Sequence, residues 1–194
     1  MLTTTYSMVV LSSEQQNTRR ILGKLEQYLH NASWLCADGV DRVWLERVLH
    51  KVMKVDKYCQ QRKVELYVIP ALRQAPSEVA GLLDRIDALC NDAMRILLHV
   101  CSQMERAVAG SCADVIALVN AIELYCRQMT ARLSFEEDEL FPAARQLLST
   151  EAWFQIAASC LSDSTAREPQ HRTGSPTLPR RRPQPPQLRV RHMH

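Results

Sequence analysis

Apolar residues recur every three to four positions along most of the chain, which predicts long amphipathic helices. The first helix is predicted to begin near Ser13, because Ser13 and Gln16 have the spacing of a capping box. The second follows Asp41, a favourable N-cap residue, and carries a broad apolar stripe. Pro70 lacks an amide hydrogen and predicts a kink or an end to this helix, although residues 71–74 allow one more turn.

Clear start and stop signals mark the helices in the second half of the chain. Pro76-Ser77-Glu78 supplies a stop, a cap and an acid, so a third helix is predicted from there to Gly110. A fourth helix is predicted from Ser111, with Pro142 as an interruption. Ser149-Thr150-Glu151 then predicts the cap of a short fifth helix.

These segments predict an all-α protein, an up-down-up-down four-helix bundle with a short fifth helix. Residues 31–39 are predicted to form a loop, and no run alternates with period two for long enough to predict a strand. The predicted domains are a helical bundle over residues 1–161 and a disordered, basic Pro/Arg-rich tail over residues 162–194. The low glycine content, five residues, agrees with helix.

Charge is divided unevenly between the bundle and the tail. Seven arginines against two acidic residues give the tail +5, which leaves −2 for the rest of a chain of net charge +3. A mildly acidic bundle makes nucleic acid an unexpected partner. The tail has P-x-x-P patterns at 176–179 and 183–186 beside three arginines, and two interpretations stay open. In the first, the tail binds a proline-recognising domain or a polyanion. In the second, the tail is a solvated extension without a function.

The chain is predicted to be soluble and cytoplasmic. No run of 18 apolar residues predicts a membrane span, and the N-terminus lacks the basic flank of a signal peptide. The seven cysteines are an odd number without a Cys-x-x-Cys pair, which predicts reduced, mostly buried thiols instead of disulfides or a zinc ribbon.

The second and fourth helices share one local motif. In Glu65 to Ala71 and in Glu136 to Ala144, acid precedes an apolar or aromatic pair, then proline, then alanine. The motif on the fourth helix, Phe135-Glu-Glu-Asp-Glu-Leu-Phe-Pro142, is similar to a motif of the hemerythrin-like, or HHE cation-binding, family. The chain resembles this family over about residues 13–161. The resemblance implies a four-helix bundle in which His-x-x-x-Glu pairs on two helices and further histidines hold two iron ions.

The chain departs from the family pattern at most of the ligand positions that the resemblance implies. Those positions fall on Gln15 before Arg19-Arg20-Ile21-Leu22, on Gln60 and Val64 counted back from Pro70, and on Arg132 and Glu136 counted back from Pro142. The slot on the third helix falls near Cys90 or Asn91, and Glu65 is turned ~100° away from the ligand face. His30, His50 and His99 are predicted to point elsewhere.

Glu136 is therefore the one retained ligand position, and iron is not expected as a cofactor. If a metal were retained, Glu136, a cysteine and one further, unidentified ligand would hold it. Arg132 precedes Glu136 by one helical turn, and two interpretations stay open. In the first, the Arg132–Glu136 pair points inward and fills the emptied metal site together with the amide of Gln15 or Gln60. In the second, Arg132 turns to the surface.

These observations favour a non-enzymatic binding or regulatory module, a hemerythrin-like bundle without its di-iron site. The alternative is a metal-binding protein, responsive to oxygen or redox state, with a weak site at Glu136. An enzyme is disfavoured because no nucleophile–base constellation or glycine-rich phosphate loop is present in the sequence. A protein partner for the tail is an open prediction.

Overall fold

The structure is a computed structural model, and it describes residues 2–31, 35–36, 39–75 and 79–167. The predicted all-α class is confirmed, since every described element except one short ribbon is helical. The helices are α1 Leu2–Asn31, α2 Arg42–Gln60, α3 Ile69–Arg73, α4 Ala80–Ala109, α5 Cys112–Phe135, α6 Phe141–Leu147 and α7 Thr150–Arg167. Inside the predicted loop, β1 Leu35–Cys36 and β2 Gly39–Val40 pair as antiparallel two-residue strands.

Helix α1 begins much earlier than the sequence predicted. It starts at Leu2, and Ser13 lies inside the helix, so the capping box predicted there is wrong. Met8 and Leu11 are buried at helical spacing in a cluster with Trp153 of α7. Packing of α1 against α7 therefore extends the helix through a segment that has only a short apolar patch of its own.

Two predicted helix starts are confirmed by their capping bonds. The Asp41 carboxylate accepts from the backbone N–H groups of Val43 and Trp44, at 2.8 Å and 3.2 Å, and so caps α2. The Ser149 hydroxyl accepts from the backbone N–H of Ala152 at 3.1 Å, at the start of α7. The predicted cap at residues 76–78 lies outside the described residues.

The turn from α4 to α5 also follows the prediction. Helix α4 ends at Gly110, and Ser111 caps α5 in a capping box with Asp114. A Cβ atom at Gly110 would clash with the Asp114 carboxylate and would lie 2.6 Å from the carbonyl oxygen of Arg106. Glycine is therefore required here by close approach of neighbouring atoms.

The helix before Pro70 is interrupted earlier than predicted. Helix α2 ends at Gln60, and the chain turns at Gln61–Arg62 before it becomes helical again. A π turn over Val64–Val68 then leads into α3, with Pro70 in its first turn. Pro70 does not end the helix: α3 continues through it to Arg73, which is the further turn that residues 71–74 were predicted to allow.

A π turn also precedes Pro142. A second π turn, Glu136–Leu140, joins α5 to α6. In the two π turns, the N–H groups of Ile69 and Phe141 bond to the carbonyls of Val64 and Glu136, five residues back. Proline has no N–H, and its ring would clash with the carbonyl four residues back in an α-helix. The wider turn relieves this clash and lets the chain continue through each proline.

The long helices pack in a ring of neighbours. Helix α1 contacts α2, α5 and α7, and α4 contacts α2 and α5. Buried apolar side chains form two clusters. The first core cluster includes Leu22, Cys59 and Leu133, and the second includes Leu11 and Val64. On α1 and after α2, the residues between these clusters are buried and polar.

Helix α7 runs past the predicted end of the bundle. It continues to Arg167 instead of ending near Leu161. The Asp163 carboxylate accepts from the Tyr67 hydroxyl at 2.8 Å and lies 3.4 Å from the Lys63 ammonium. These contacts anchor the last turns of α7 on the bundle, and the predicted division into a bundle over residues 1–161 and a tail over residues 162–194 stays a prediction. Residues 168–194 of the predicted tail lie outside the described residues.

Among the described helices, none combines the length and the apolar character that crossing a membrane requires.

Candidate functional site

Five polar side chains form a charge layer between the two core clusters: Gln15, Arg62, Glu65, Arg132 and Glu136. Four of them are buried, and the Glu65 side chain is 20% exposed. They come from α1, the turn after α2, the first π turn, α5 and the second π turn. Ionised groups at such depth require mutual neutralisation and full hydrogen bonding.

Glu136 lies at the centre of the charge layer and is fully buried. Arg62 donates two parallel hydrogen bonds to the Glu136 carboxylate, from Nη2 to Oε1 at 2.6 Å and from Nη1 to Oε2 at 2.8 Å. The amide Nε2 of Gln15 also donates to Oε2, at 2.5 Å. Both carboxylate oxygens thus accept from protein N–H groups, in the bidentate geometry that makes arginine–carboxylate pairs strong.

Glu65 is the second carboxylate of the layer. Its Oε1 accepts from Arg62 Nη2 at 2.9 Å and from Arg132 Nη2. The Nε atom of Arg132 lies 3.1 Å from Oε1 of Glu136, an ion-pair contact without hydrogen-bond geometry. Two guanidinium groups and two carboxylates therefore alternate, and their formal charges cancel.

The electrostatic environment keeps Arg62 charged. Burial alone would lower the pKa of Arg62, but the charge of Glu136, its hydrogen bonds and the charge of Glu65 raise that pKa above its ordinary value. Arg62 thus remains a guanidinium at any pH at which the protein is folded.

Local bonds explain why the chain breaks next to this arginine. The Arg62 Nε donates to the carbonyl of Cys59 at 3.3 Å, near the end of α2. The backbone N–H of Lys63 donates to the Glu14 carboxylate of α1 at 2.7 Å. Side chains therefore satisfy backbone groups that the interruption leaves without helical partners.

The structure brings three of the five predicted site positions into the charge layer. Arg132 and Glu136 both point inward, in agreement with the inward interpretation, and Gln15 is the amide beside them. Gln60 is exposed and donates to Asp56 at 2.7 Å, so it does not supply the second amide. Val64 is buried among apolar side chains of the second core cluster.

Two members of the layer were missed or misplaced by counting along an uninterrupted helix. Glu65 was expected to turn away from the site, yet it bonds both arginines. Arg62 was not predicted at all. The break at Gln61–Arg62 changes the direction in which both residues point. In the sequence Arg62 lies in the polar run Gln60-Gln61-Arg62-Lys63, which gives no signal that its side chain is buried.

A cavity of about 320 Å³ opens beside the layer, and its lining includes Cys59, Glu65, Cys90 and Arg132. Burial raises the pKa of the Cys59 thiol to about 11 and also raises the pKa of Cys90. Both side chains are therefore neutral thiols near pH 7 and poor metal ligands compared with thiolates.

The residues present do not fit the di-iron site that the family resemblance implies. Both oxygens of Glu136 already accept hydrogen bonds, and two guanidinium charges would repel a cation at this position. Across residues 2–31, 35–36, 39–75 and 79–167, no three His, Cys, Asp or Glu side chains are grouped so that they could hold a metal ion.

The fold and the layer together define a class: an all-helical protein with a neutralised charge layer inside its core. Comparison of the chain with protein-family models, curated proteins and solved structures finds no match in any of the three.

Proposed function

We propose that the chain is a hemerythrin-like, up-down-up-down four-helix bundle in which arginines have replaced the metal ions. We further propose that it acts as a non-enzymatic binding or regulatory module. The observation that carries this proposal is the bidentate pairing of Arg62 with the buried Glu136 carboxylate. A cation-binding carboxylate would need at least one oxygen free to coordinate the ion.

The packing of the long helices supports the four-helix arrangement. Each of α1, α2, α4 and α5 contacts its neighbours in a closed cycle, with α1 against both α2 and α5. A bundle whose consecutive helices are antiparallel neighbours has this cycle of contacts. Helix α7 then lies against α1 outside the cycle.

Two further observations support the relationship to hemerythrin-like proteins. The two shared motifs adopt the same local structure, a π turn that precedes Pro70 in one and Pro142 in the other. Moreover, Gln15 and Glu136, chosen by resemblance alone, form a direct hydrogen bond although they are 121 residues apart in sequence.

A non-enzymatic role is supported by the pairing of charges within the layer. Both carboxylates are ion-paired with both arginines, so neither is placed as an unpaired general base or nucleophile. We therefore assign the layer to stability and place recognition on the surface. A cytoplasmic location and a partner for the Pro/Arg-rich tail remain predictions.

Metal loading of matched variants tests the proposal. Wild type and Glu136→Gln are incubated with ferrous iron under anaerobic conditions, desalted and measured by elemental analysis. We expect substoichiometric metal in both, because the two proteins would differ in metal content only if the carboxylate coordinated a cation. Stoichiometric iron in wild type that is lost in Glu136→Gln would overturn the proposal and favour the metal-responsive alternative.

A further inference from the structure

A groove with an apolar floor and a basic rim runs between α1 and α2. Its cavity measures about 360 Å³, within the size range of small-molecule sites. The floor is made by Ile21, Leu25, Val55 and Tyr58, and the rim by Lys24, Lys51 and Lys54. Leu25 and Val55 are buried, while the three lysines are exposed.

Contacts between the two helices limit the length of the groove. Toward the start of α1, the amide of Asn17 donates to the Tyr58 hydroxyl at 2.7 Å. Farther along α1, the Lys51 ammonium lies 4.5 Å from the centroid of the Tyr28 ring. Asn17 and Tyr28 are separated by about 16 Å along the axis of α1. An occupant therefore has a bounded space instead of an open channel.

The charge of the rim defines the chemistry of the occupant. No carboxylate is among the described residues that line this cavity. Within the described part of the chain, no acidic side chain forms a salt bridge with Lys24, Lys51 or Lys54. Three ammonium groups around an apolar floor are complementary to one negative head group attached to an apolar body.

Two other occupants are disfavoured by the same features. The chain's own residues 168–194 are strongly basic, so the lysine rim would repel them. A partner helix laid along the groove would need open ends, but the Asn17–Tyr58 and Lys51–Tyr28 contacts cross it.

We propose that this groove binds a small amphipathic anion, a medium-chain carboxylate in chemical class. The alkyl chain packs on Ile21, Leu25 and Val55, and the carboxylate sits among the lysines. This inference goes beyond the proposed function, and none of the groove residues belongs to the charge layer. The metal analysis tests the proposed function and the ligand titration tests the groove, so either experiment can contradict its proposal without affecting the other.

The probe is decanoate, titrated below its micelle concentration into the full chain and followed by calorimetry and by amide NMR shifts. Decanol tests whether the charge matters, and acetate tests whether the chain matters. We expect saturable binding of decanoate alone, with shifts concentrated at Ile21, Leu25, Val55 and Tyr58. Equal binding of decanol, shifts on another face or the absence of saturable binding would each overturn the proposal.

Matched charge variants complete the test. The first replaces the three rim lysines by K24Q/K51Q/K54Q. The control, R73Q/R95Q/R127Q, removes the same charge from exposed positions outside the groove. We expect decanoate to bind ~10-fold more weakly to the lysine variant, since exposed ion pairs contribute modestly and three act together. A comparable loss in the arginine control would show that net charge, and not the groove, governs binding. Circular dichroism verifies that both variants fold.

Discussion

Glu136 accepts hydrogen bonds from two residues far away in sequence, so its replacement tests the charge layer most directly. In Glu136→Leu, two guanidinium groups would face the single carboxylate of Glu65, leaving one excess positive charge in the interior. In Arg62→Met, the Glu136 carboxylate would lose its bidentate partner. Each change should lower the free energy of unfolding by ~3–5 kcal/mol, because it leaves a buried charge uncompensated.

The double variant Arg62→Met, Glu136→Leu should recover most of this loss. It removes opposite charges together, keeps the Arg132–Glu65 pair and fills similar volume with apolar atoms. With single losses of ~3–5 kcal/mol each and a double variant within ~2 kcal/mol of wild type, the expected coupling between the two positions is at least ~4 kcal/mol. The free energies are measured by urea denaturation, followed by circular dichroism at 222 nm.

An exposed ion pair between neighbouring elements provides the control. Arg85 and Glu139 lie 3.2 Å apart, with side chains that are 63% and 47% exposed. Because solvent screens such a pair, its coupling should be below ~1 kcal/mol. Coupling at Arg62–Glu136 that is no larger than at Arg85–Glu139 would refute the buried charge layer.

Four further results are expected. Chelation with EDTA should leave the melting temperature unchanged, since arginines neutralise the layer, and unfolding on chelation would contradict this. Removing residues 168–194 should also leave the melting temperature nearly unchanged. Removing residues 163–194 should lower the melting temperature, because Asp163 bonds to Tyr67 and pairs with Lys63 of the bundle. Equal melting temperatures of the two truncated proteins would argue against these contacts. The pKa of Cys59, raised by burial, should contribute stability that is complete below about pH 9 and is lost as the pH rises through about 11, by up to roughly 3 kcal/mol. Denaturation curves across this range should show a steeper loss of stability in wild type than in Cys59→Val, and equal slopes would contradict this. Exposed Cys112 should react with a thiol reagent at pH 8 well before Cys59, as peptide mass mapping would reveal.

Short-range physical chemistry made much of the fold predictable from the sequence. Asp41, Ser111 and Ser149 bond to N–H groups two or three residues away, so their helix starts can be identified without knowledge of the fold. Gly110 likewise ends α4 because of atoms within four residues on either side. The helical spacing of apolar residues, also a local property, predicted the all-α class.

Only the tertiary structure decided the start of α1 and the composition of the charge layer. Residues 2–12 are helical because α7 covers Met8 and Leu11, and no signal within that segment indicates such cover. Arg62 is buried because it pairs with Glu136, 74 residues later in the chain. A buried guanidinium is stable only beside its carboxylate, so its place depends on distant residues that the fold alone brings together.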